Sequence, residues 1–482
     1  MKKSATACLG ALATIMLFGS CNSNEEIYDD TKYSSTAVYS FAFSEDKKVM
    51  EHLDTVFFSI DLVNARIFNA DSLPMGAPVN KLVPKVVMVE GASAIQFTVH
   101  RANGSDTTYN YTANTTDSID FSHGPVDMRI VSLDGLSERT YSIHVNVHTL
   151  KADSLTWDRE ALRTLPSAFN VPTRQHTTAT AHATYCLTEA GGNYSLAVSQ
   201  DLFADEWTTS TPSLPAGAII DSFTGADNAL YILAADGATD GSAALWRSTD
   251  GAATWQPLDV RMNHIYGSLG EHVYGAYCSD GTWCTVSSST SALMPLPAGV
   301  PVAQTSCPAR FTFPLAEGEQ MLVVGGVDAD GKIAKSAWAF DGDSWARVSR
   351  YSLSWAARRM TLVSFVSYQL KSNLIPQEFP TMLAFGGIDD KGAISQKVYM
   401  SRDYGMNWSE APANLQLADY LTPVYGAQAI VADATLHGRA IRPIDQWECP
   451  FIYVFGGTTT AGTLSNTLWR GTINRLLFKP LQ

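Results

Sequence analysis

The feature that most constrains this chain is a glycine pair that recurs three times at fixed distances from a later glycine, an aliphatic residue and an aromatic residue. The segments VVGGVDADGKIAKSAW, AFGGIDDKGAISQKVY and VFGGTTTAGTLSNTLW align without a gap. Each pair follows a short apolar run that is typical of a buried strand. Strands are expected to end at the pairs because φ turns positive there or because a side chain would clash. The pairs with their aromatic residues are Gly325, Gly326 and Trp338; Gly386, Gly387 and Tyr399; and Gly456, Gly457 and Trp469.

Such hairpins predict a β-propeller over residues 151–482, because a single hairpin cannot bury its apolar face and radial repetition can. Strand-like runs and turn signals indicate about six blades, and the strand around Leu155–Leu165 is expected to join the last blade and close the ring. Seven blades is the alternative, since the region 259–310 has no glycine pair to count by. The predicted blades lie near 171–210, 216–258, 264–296, 305–350, 358–412 and 422–478.

A second motif follows the pattern S-x-D-x-G-x-x-W. It is complete in SRDYGMNW and lacks only its glycine in STDGAATW, where Ala252 takes that place. Degenerate versions occur at Ser199–Trp207 and Asp341–Trp345. Ser and Asp side chains in such a turn cap backbone N–H groups and the Trp packs the turn onto its blade, so a structural role is predicted. The residues of the two better matches are Ser401, Asp403, Gly405 and Trp408, and Ser248, Asp250 and Trp255.

Together these motifs resemble known repeat families. The glycine pair with its spaced aromatic residue resembles the kelch repeat, and the S-x-D-x-G-x-x-W turns resemble Asp boxes. The whole arrangement is similar to an uncharacterised family of Bacteroidetes lipoproteins with an N-terminal β domain and a C-terminal propeller. That resemblance implies an architecture and no activity.

Composition supports an all-β globular chain. Of the 482 residues, 45% are hydrophobic, only 17% are charged, and 34 are Gly. A formal net charge of −14 argues against binding to nucleic acid, or to an anionic membrane, through charge.

The N-terminus predicts a lipoprotein. Residues 1–20 form a signal peptide with Lys2 and Lys3 before the apolar stretch Leu9–Phe18, and FGSC resembles a lipobox that would be cleaved before Cys21. Acyl chains on Cys21 would anchor the protein to a membrane. Residues 21–36 indicate a flexible acidic tether whose Glu25 and Glu26 resemble export signals of surface lipoproteins, so an outer-membrane, surface-exposed location is expected and a periplasm-facing one stays open.

Residues 37–150 predict a β-sandwich, because short strand-like runs alternate with Gly, Pro, Asp and Asn turns. The segment VSLDGLSERTYSIHVNV resembles the last hairpin of Ig-like or cadherin-like modules. His144 and His148 are expected on one strand about 13 Å apart, too far for one zinc ion.

Other candidate chemistry has a simpler structural explanation. Asp328, Asp330, Asp389 and Asp390 lie in turns and do not complete a calcium loop. Most of the five cysteines after Cys21 are interpreted as small buried residues, and a bridge between Cys278 and Cys284 is disfavoured because an Asp280-Gly281 turn puts them out of register. No cofactor and no metal site is predicted. The five cysteines are Cys186, Cys278, Cys284, Cys307 and Cys449.

The function predicted is therefore non-enzymatic: binding of a glycan or a protein through loops on one propeller face. The insertions KSNLIPQEFP and TLHGRAIRPIDQWECP are the favoured loops, and Trp447 and Trp283 are candidate sugar platforms. A scaffold subunit of an outer-membrane complex is one alternative. A sialidase-like glycoside-acting enzyme is another, but no catalytic residues are assigned, since the arginines fit no family-like motif. Those arginines are Arg163, Arg174, Arg310, Arg358, Arg359, Arg439 and Arg442.

Overall fold

The computed structural model describes residues 34–70, 72–148, 154–314, 318–370, 376–436 and 447–474. These residues form two compact units. One contains the described residues up to Asn69 together with Pro78–Val145, and the other contains Ala70–Ala77 together with the described residues from Asn146 onward. Within the described ranges the only helical segments are 3₁₀ turns at Leu53–Thr55 and Ala413–Leu415. The prediction of an all-β chain is thus confirmed.

The N-terminal unit contains two sheets. Strands β1 and β4 form a two-stranded sheet, and the other six strands form a sheet in the order β2-β3-β8-β7-β5-β6, with β3 and β8 parallel. The strands are β1 (Val38–Phe43), β2 (Ser59–Asp61), β3 (Arg66–Phe68), β4 (Pro84–Met88), β5 (Ala94–Val99), β6 (Thr107–Asn110), β7 (Val126–Val131) and β8 (Glu138–His144).

Alternation along the strands builds the core of this unit. In β5 and β7 every second side chain is buried, and Phe97, Met128 and Tyr141 are fully buried. Strand β8 ends at His144, and Val147 bridges Leu73 instead, so the expectation that His144 and His148 share one strand is wrong. The Ig-like type of this domain stays a prediction.

Within the described ranges, the second unit forms a propeller of six four-stranded sheets. Blades 1 to 5 each use four consecutive strands, and blade 6 has the order β30-β31-β32-β9. Six blades are therefore present, and the alternative of seven is wrong. The first three blades comprise β10 (Arg174–Ala179), β11 (Thr184–Ala190), β12 (Asn193–Ser199) and β13 (Thr208–Ser210); β14 (Ala218–Gly225), β15 (Leu230–Ala234), β16 (Ala243–Ser248) and β17 (Gln256–Met262); and β18 (His264–Leu269), β19 (His272–Ser279), β20 (Thr282–Ser287) and β21 (Thr290–Pro295).

The remaining blades include the two longest hairpins. They comprise β22 (Ala309–Thr312), β23 (Glu319–Val324), β24 (Ala337–Phe340) and β25 (Trp345–Arg347); β26 (Arg358–Leu370), β27 (Pro376–Ile388), β28 (Tyr399–Ser401) and β29 (Ser409–Glu410); and β30 (Gln428–Leu436), β31 (Trp447–Phe455), β32 (Leu468–Asn474) and β9 (Ser154–Trp157). The ring is closed by β9, which pairs with β32 through Leu155 opposite Ile473. The expectation that a strand near Leu155 joins the last blade is confirmed.

The propeller core lies between blades rather than at one centre. Six apolar clusters each join two neighbouring blades, and the last of them joins blade 6 to blade 1. At the boundary of blades 3 and 4, for example, Tyr266 and Tyr274 pack against Phe340 and Trp345. Each blade thus buries the apolar face of the next, which is the reason that the repeat forms a closed ring.

Candidate ligand site in the propeller channel

The first strand of each blade lines a central channel. Strands β10, β14, β18, β22, β26 and β30 enclose a cavity of about 810 Å³. These strands run in the same direction. The end of β14 lies against the end of β10, because Gly225 N donates to Thr178 Oγ1 at 2.7 Å and a Cβ at Gly225 would lie 2.2 Å from Ala179 O. The end of the channel at which the inner strands begin is called the mouth below.

Two arginines converge on one carboxylate at the mouth. Arg359 Nη2 lies 2.9 Å from Asp221 Oδ2, and Arg174 Nη2 lies 3.5 Å from Asp221 Oδ1. Arg174 also lies 3.4 Å from Glu189, a residue of the second strand of blade 1 and therefore farther from the axis. Burial raises the pKa of Asp221, but Arg359, His176 and Arg174 lower it more, so the net pKa lies below the ordinary value.

Two histidines face the same part of the channel. Burial, with Arg359 acting in the same direction, lowers the pKa of His176 to about 4, although Asp221 opposes the shift. Burial, followed by Arg359 and His176, lowers the pKa of His264 to about 4. His264 Nε2 lies 2.8 Å from Thr305 Oγ1. Both rings are therefore neutral near pH 7 and can act as hydrogen-bonding groups toward a polar ligand.

The backbone at the mouth is left-handed at two residues that carry side chains. Gln304 has φ of 48° and Arg359 has φ of 50°. The two are joined, since Arg359 N donates to Gln304 O at 2.9 Å, and Gly426 N donates to Arg359 O at 2.8 Å. A left-handed residue with a side chain costs about 1–3 kcal/mol and persists only where surrounding contacts hold it, often at a functional site. The segments that lead into blades 4 and 6 hold Arg359 in this conformation.

The opposite end of the channel has a different charge. Arg310 and Asp227 line it, and Arg310 Nη1 lies 3.8 Å from Glu319 Oε2. Arg310 also donates to Ser268 Oγ. Among the described lining residues, this end thus has one arginine and one carboxylate, whereas the mouth has two arginines for one carboxylate.

The glycine pairs lie where neighbouring blades approach the mouth. All six glycines have positive φ, between 58° and 94°. A Cβ on the first glycine of each pair would lie 2.2 Å from Ala357 O at Gly325, 2.5 Å from Val424 O at Gly386 and 2.7 Å from the Gln175 side chain at Gly456. Each contacted residue belongs to the next blade or to the segment that precedes the first strand of that blade, called its lead-in segment below. Both physical reasons for glycine, conformation and clash, therefore apply at once.

The aromatic residue of each repeat packs on the segment that leads into its own blade. Tyr399 stacks on Trp355 with ring centroids 4.1 Å apart, and Trp469 lies 6.0 Å from Tyr420. Trp338 is 7% exposed and approaches Gly299. These contacts fix the lead-in segments, which continue directly into the inner strands that line the channel.

The S-x-D-x-G-x-x-W turns form local hydrogen-bond networks. Ser401 Oγ accepts a bond from Gly405 N at 3.0 Å and donates to Asp403 at 2.9 Å, and Trp408 Nε1 donates to Gly405 O. In blade 2, Ser248 Oγ accepts from Ala252 N at 3.0 Å and donates to Asp250 at 2.8 Å. Ala252, at φ of 71°, takes the conformation that Gly405 has at 84°. Trp255 packs on the cluster between blades 1 and 2.

The aspartates after the glycine pairs also serve turns. Asp328 Oδ1 accepts bonds from the backbone N–H groups of Asp330 and Lys332, and Asp389 Oδ1 accepts from Lys391 and Ala393. Throughout the described ranges there is no group of three or more His, Cys, Asp or Glu side chains that could hold a metal ion.

The cysteines are less buried than expected. Cys186 is buried, which raises the pKa of its thiol to about 12, but Cys278, Cys284 and Cys307 are only half-buried, and all four are free. The expectation that most are buried is therefore wrong for the described thiols; the Cys449 side chain lies outside the described ones. Cys278 pairs with Trp283 and Tyr277 with Cys284, so Cys278 and Cys284 are out of register, as the Asp280-Gly281 turn predicts.

The two insertions extend the hairpins β26–β27 and β30–β31, and their central residues, 371–375 and 437–446, lie outside the described residues, as do Arg439 and Arg442 and the Trp447 side chain. Trp283 is half-buried against the cluster between blades 3 and 4, so its ring is a poor candidate for stacking on a sugar. Of the remaining arginines, Arg174, Arg310 and Arg359 line the channel. Arg163 pairs with Asp205 and Arg358 donates to Asp389 O.

Cys21 and the signal peptide also lie outside the described residues. In the described part of the chain, no helix has the length and apolar character needed to cross a bilayer.

The fold and the channel define a β-propeller protein with a separate N-terminal β domain. The chain belongs to the DUF6242 family: the DUF6242 beta propeller domain matches residues 151–481, and the DUF6242 N-terminal domain, a domain of unknown function, matches residues 26–145. No curated protein matches the chain. Among solved structures, the chain is similar to a GH62 hydrolase in complex with xylotriose, at 10% identity and a TM-score of 0.32, over 67% of this chain and 98% of the hydrolase. A likeness that weak transfers nothing of the hydrolase's activity.

Proposed function

We propose that this protein is a non-enzymatic lipoprotein of the bacterial cell envelope, anchored through Cys21, whose propeller binds a glycan at the channel mouth. The observation that carries the binding role is the convergence of Arg174, Arg359, Asp221 and two neutral histidines in one cavity. Polar groups that converge in a concave site fix the orientation of a polar ligand. The planar guanidinium and imidazole groups suit the hydroxyl pattern of a sugar.

The same groups are poorly matched to proton transfer. Asp221 has a lowered pKa, and both histidines have pKa values far below neutrality, so none is poised to act as an acid or base near pH 7. Tyr266, which lines the channel, is 2% exposed and donates its hydroxyl proton to Pro301 O at 2.9 Å. Burial raises its pKa, which makes it a weak nucleophile. These properties favour binding over glycoside cleavage.

The convergence of arginines on a carboxylate is also the observation that favours the second candidate, a glycoside-acting enzyme. Both functions are tested with the processed full-length chain in detergent micelles. On a glycan array we expect selective retention of some glycans, and with fluorogenic glycosides we expect no turnover. If the wild-type chain cleaves a glycoside and Asp221→Asn does not, the function is catalysis rather than binding. A chain that retains no glycan would favour the scaffold function.

Anchoring is tested separately. In a Gram-negative host, Cys21→Ser should abolish acyl labelling and move the protein from the detergent phase to the aqueous phase of a Triton X-114 partition. Cys8→Ser, within the same leader, is the matched control and should leave both unchanged. Retention of the label in Cys21→Ser would refute the lipoprotein assignment.

A further inference from the structure

We propose that the channel mouth recognises the carboxylate of an acidic sugar within an oligosaccharide through Arg174 and Arg359. This inference rests on the proposed glycan-binding function and names the ligand chemistry of the same site.

The first argument is an excess of donors at the mouth. Each guanidinium offers five N–H donors in a planar fork that matches a carboxylate. Arg359 makes one close bond to Asp221, at 2.9 Å, whereas the bonds of Arg174 to Asp221 and Glu189 are long, at 3.5 and 3.4 Å. Charge-assisted bonds of this kind are ordinarily 2.7–2.9 Å. Arg174 is thus loosely held, and about half of its side chain (48%) is exposed.

The second argument is the direction of the charge along the channel. With neutral histidines, the lining groups at the mouth have a formal charge of +1, from two arginines and Asp221. Glu189 balances Arg174 from the second strand, on the side away from the axis. Counted in the same way, the lining groups at the other end, Arg310 and Asp227, have a formal charge of 0, and Glu319 lies beside Arg310 from the second strand of blade 4. An acidic ligand is therefore favoured at the mouth over the other end, although the whole chain is acidic.

The third argument is the place of Asp221. Its carboxylate reaches Arg359 from the opposite side of the six-bladed ring, because Asp221 belongs to blade 2 and Arg359 to blade 5. The bridge thus crosses the mouth, and Asp221 occupies the position in which a ligand carboxylate would meet both guanidiniums. Asp221 competes with the ligand, so its removal should strengthen binding rather than weaken it. A purely structural role for Asp221 predicts no such gain.

The test compares ligands that differ only in the acidic group. Oligogalacturonides and their methyl esters share one backbone, and 3′-sialyllactose with lactose provides a second acid and its neutral counterpart. Affinities are measured by calorimetry with the processed full-length chain in micelles. In at least one of the two pairs, we expect the acid to bind at least tenfold more tightly than its neutral counterpart.

The variants are Arg174→Gln, Arg359→Gln and Asp221→Asn, with Arg261→Gln as the matched control. Arg261 pairs with Asp236 at 2.7 Å in blade 2 and does not line the channel. We expect losses of at least tenfold for the two channel arginines, a several-fold gain for Asp221→Asn, and no change for Arg261→Gln. If Arg359→Gln does not fold, Arg174→Gln and the comparison of each acid with its neutral counterpart still decide the outcome.

The alternatives are distinguishable. Equal binding of the acid and its neutral counterpart in both pairs, or unchanged affinity in Arg174→Gln, would overturn the carboxylate inference while glycan binding stands. If neither acidic ligand binds but the array shows neutral glycans retained, the inference alone fails; if no glycan is retained, the proposed function fails with it.

Discussion

Arg359 donates a hydrogen bond from Nη2 to Oδ2 of Asp221 at 2.9 Å, and this bond joins inner strands on opposite sides of the ring. Arg174 of blade 1 approaches the other oxygen of the same carboxylate. Residues of blades 1, 2 and 5 therefore meet at one ion cluster. The cluster depends on ring closure, because no single hairpin contains two of its members.

The bridge across the channel is expected to contribute little to stability. Its side chains are 39% and 40% exposed, and ion pairs that exposed are typically worth 1 kcal/mol or less, about 0.2–1 kcal/mol. In a double-mutant cycle with Asp221→Asn and Arg359→Gln, we expect a coupling energy of about 0.5–1 kcal/mol by urea unfolding. The remote pair Arg261–Asp236 is the control. A coupling well above 2 kcal/mol would assign the bridge to the fold rather than to a site.

The two channel histidines should make stability depend on pH. Each has a pKa of about 4 in the fold against 6.5 when unfolded, so the unfolded chain binds more protons below pH 6.5. The contribution of the neutral histidines to the free energy of unfolding is thus complete above pH 6.5. It is lost as the pH falls toward 4, by up to about 3 kcal/mol for each residue. The free energy of unfolding in urea should depend less steeply on pH between those two values in His176→Gln and His264→Gln than in the wild type. His272→Gln, at an exposed position, should behave as the wild type; equal slopes in all three variants would contradict the assignment.

The propeller could be predicted from the sequence because its determinants are local. Gly325 and Gly326 end a strand by conformation and clash, and the spacing of the pairs reports the period of the blades. The register of Cys278 and Trp283 followed from one Asp-Gly turn. Such features need only neighbouring residues, which a sequence displays directly.

The channel site could not be predicted in this way. Arg174 and Arg359 are candidate ligand residues by type, but nothing in their neighbouring sequence indicates that both reach Asp221. No motif marks His176 or His264. Their shared property is position: each lies at or near the start of an inner strand. An alignment of the predicted blades would place these residues at equivalent positions near the starts of the inner strands, and that shared position could have identified them.

The S-x-D-x-G-x-x-W turn of blade 5 should be sensitive to its buried serine. Ser401 is 1% exposed and accepts the Gly405 N–H, so Ser401→Ala leaves that buried donor without its partner. The expected loss in unfolding free energy is about 1–3 kcal/mol. Ser409→Ala, at an exposed position of β29, should change stability by less than about 0.5 kcal/mol. Similar values for the two variants would show that the turn does not depend on this bond.

The glycine pairs offer a test that separates conformation from clash. Gly325 and Gly331 belong to the same repeat and have φ of 68° and 79°, but a Cβ at Gly331 meets nothing within 4 Å, whereas one at Gly325 lies 2.2 Å from Ala357 O. Gly331→Ala should cost only the left-handed conformation, about 1–2 kcal/mol. Gly325→Ala must also move the lead-in segment of blade 5, which adds about 1–3 kcal/mol or more by overpacking. The free energies of unfolding in urea measure both. Because Ala357 lies two residues before Arg359, Gly325→Ala should also weaken ligand binding at the mouth, while Gly331→Ala should not; equal effects of the two substitutions would mean that the next blade does not constrain the pair.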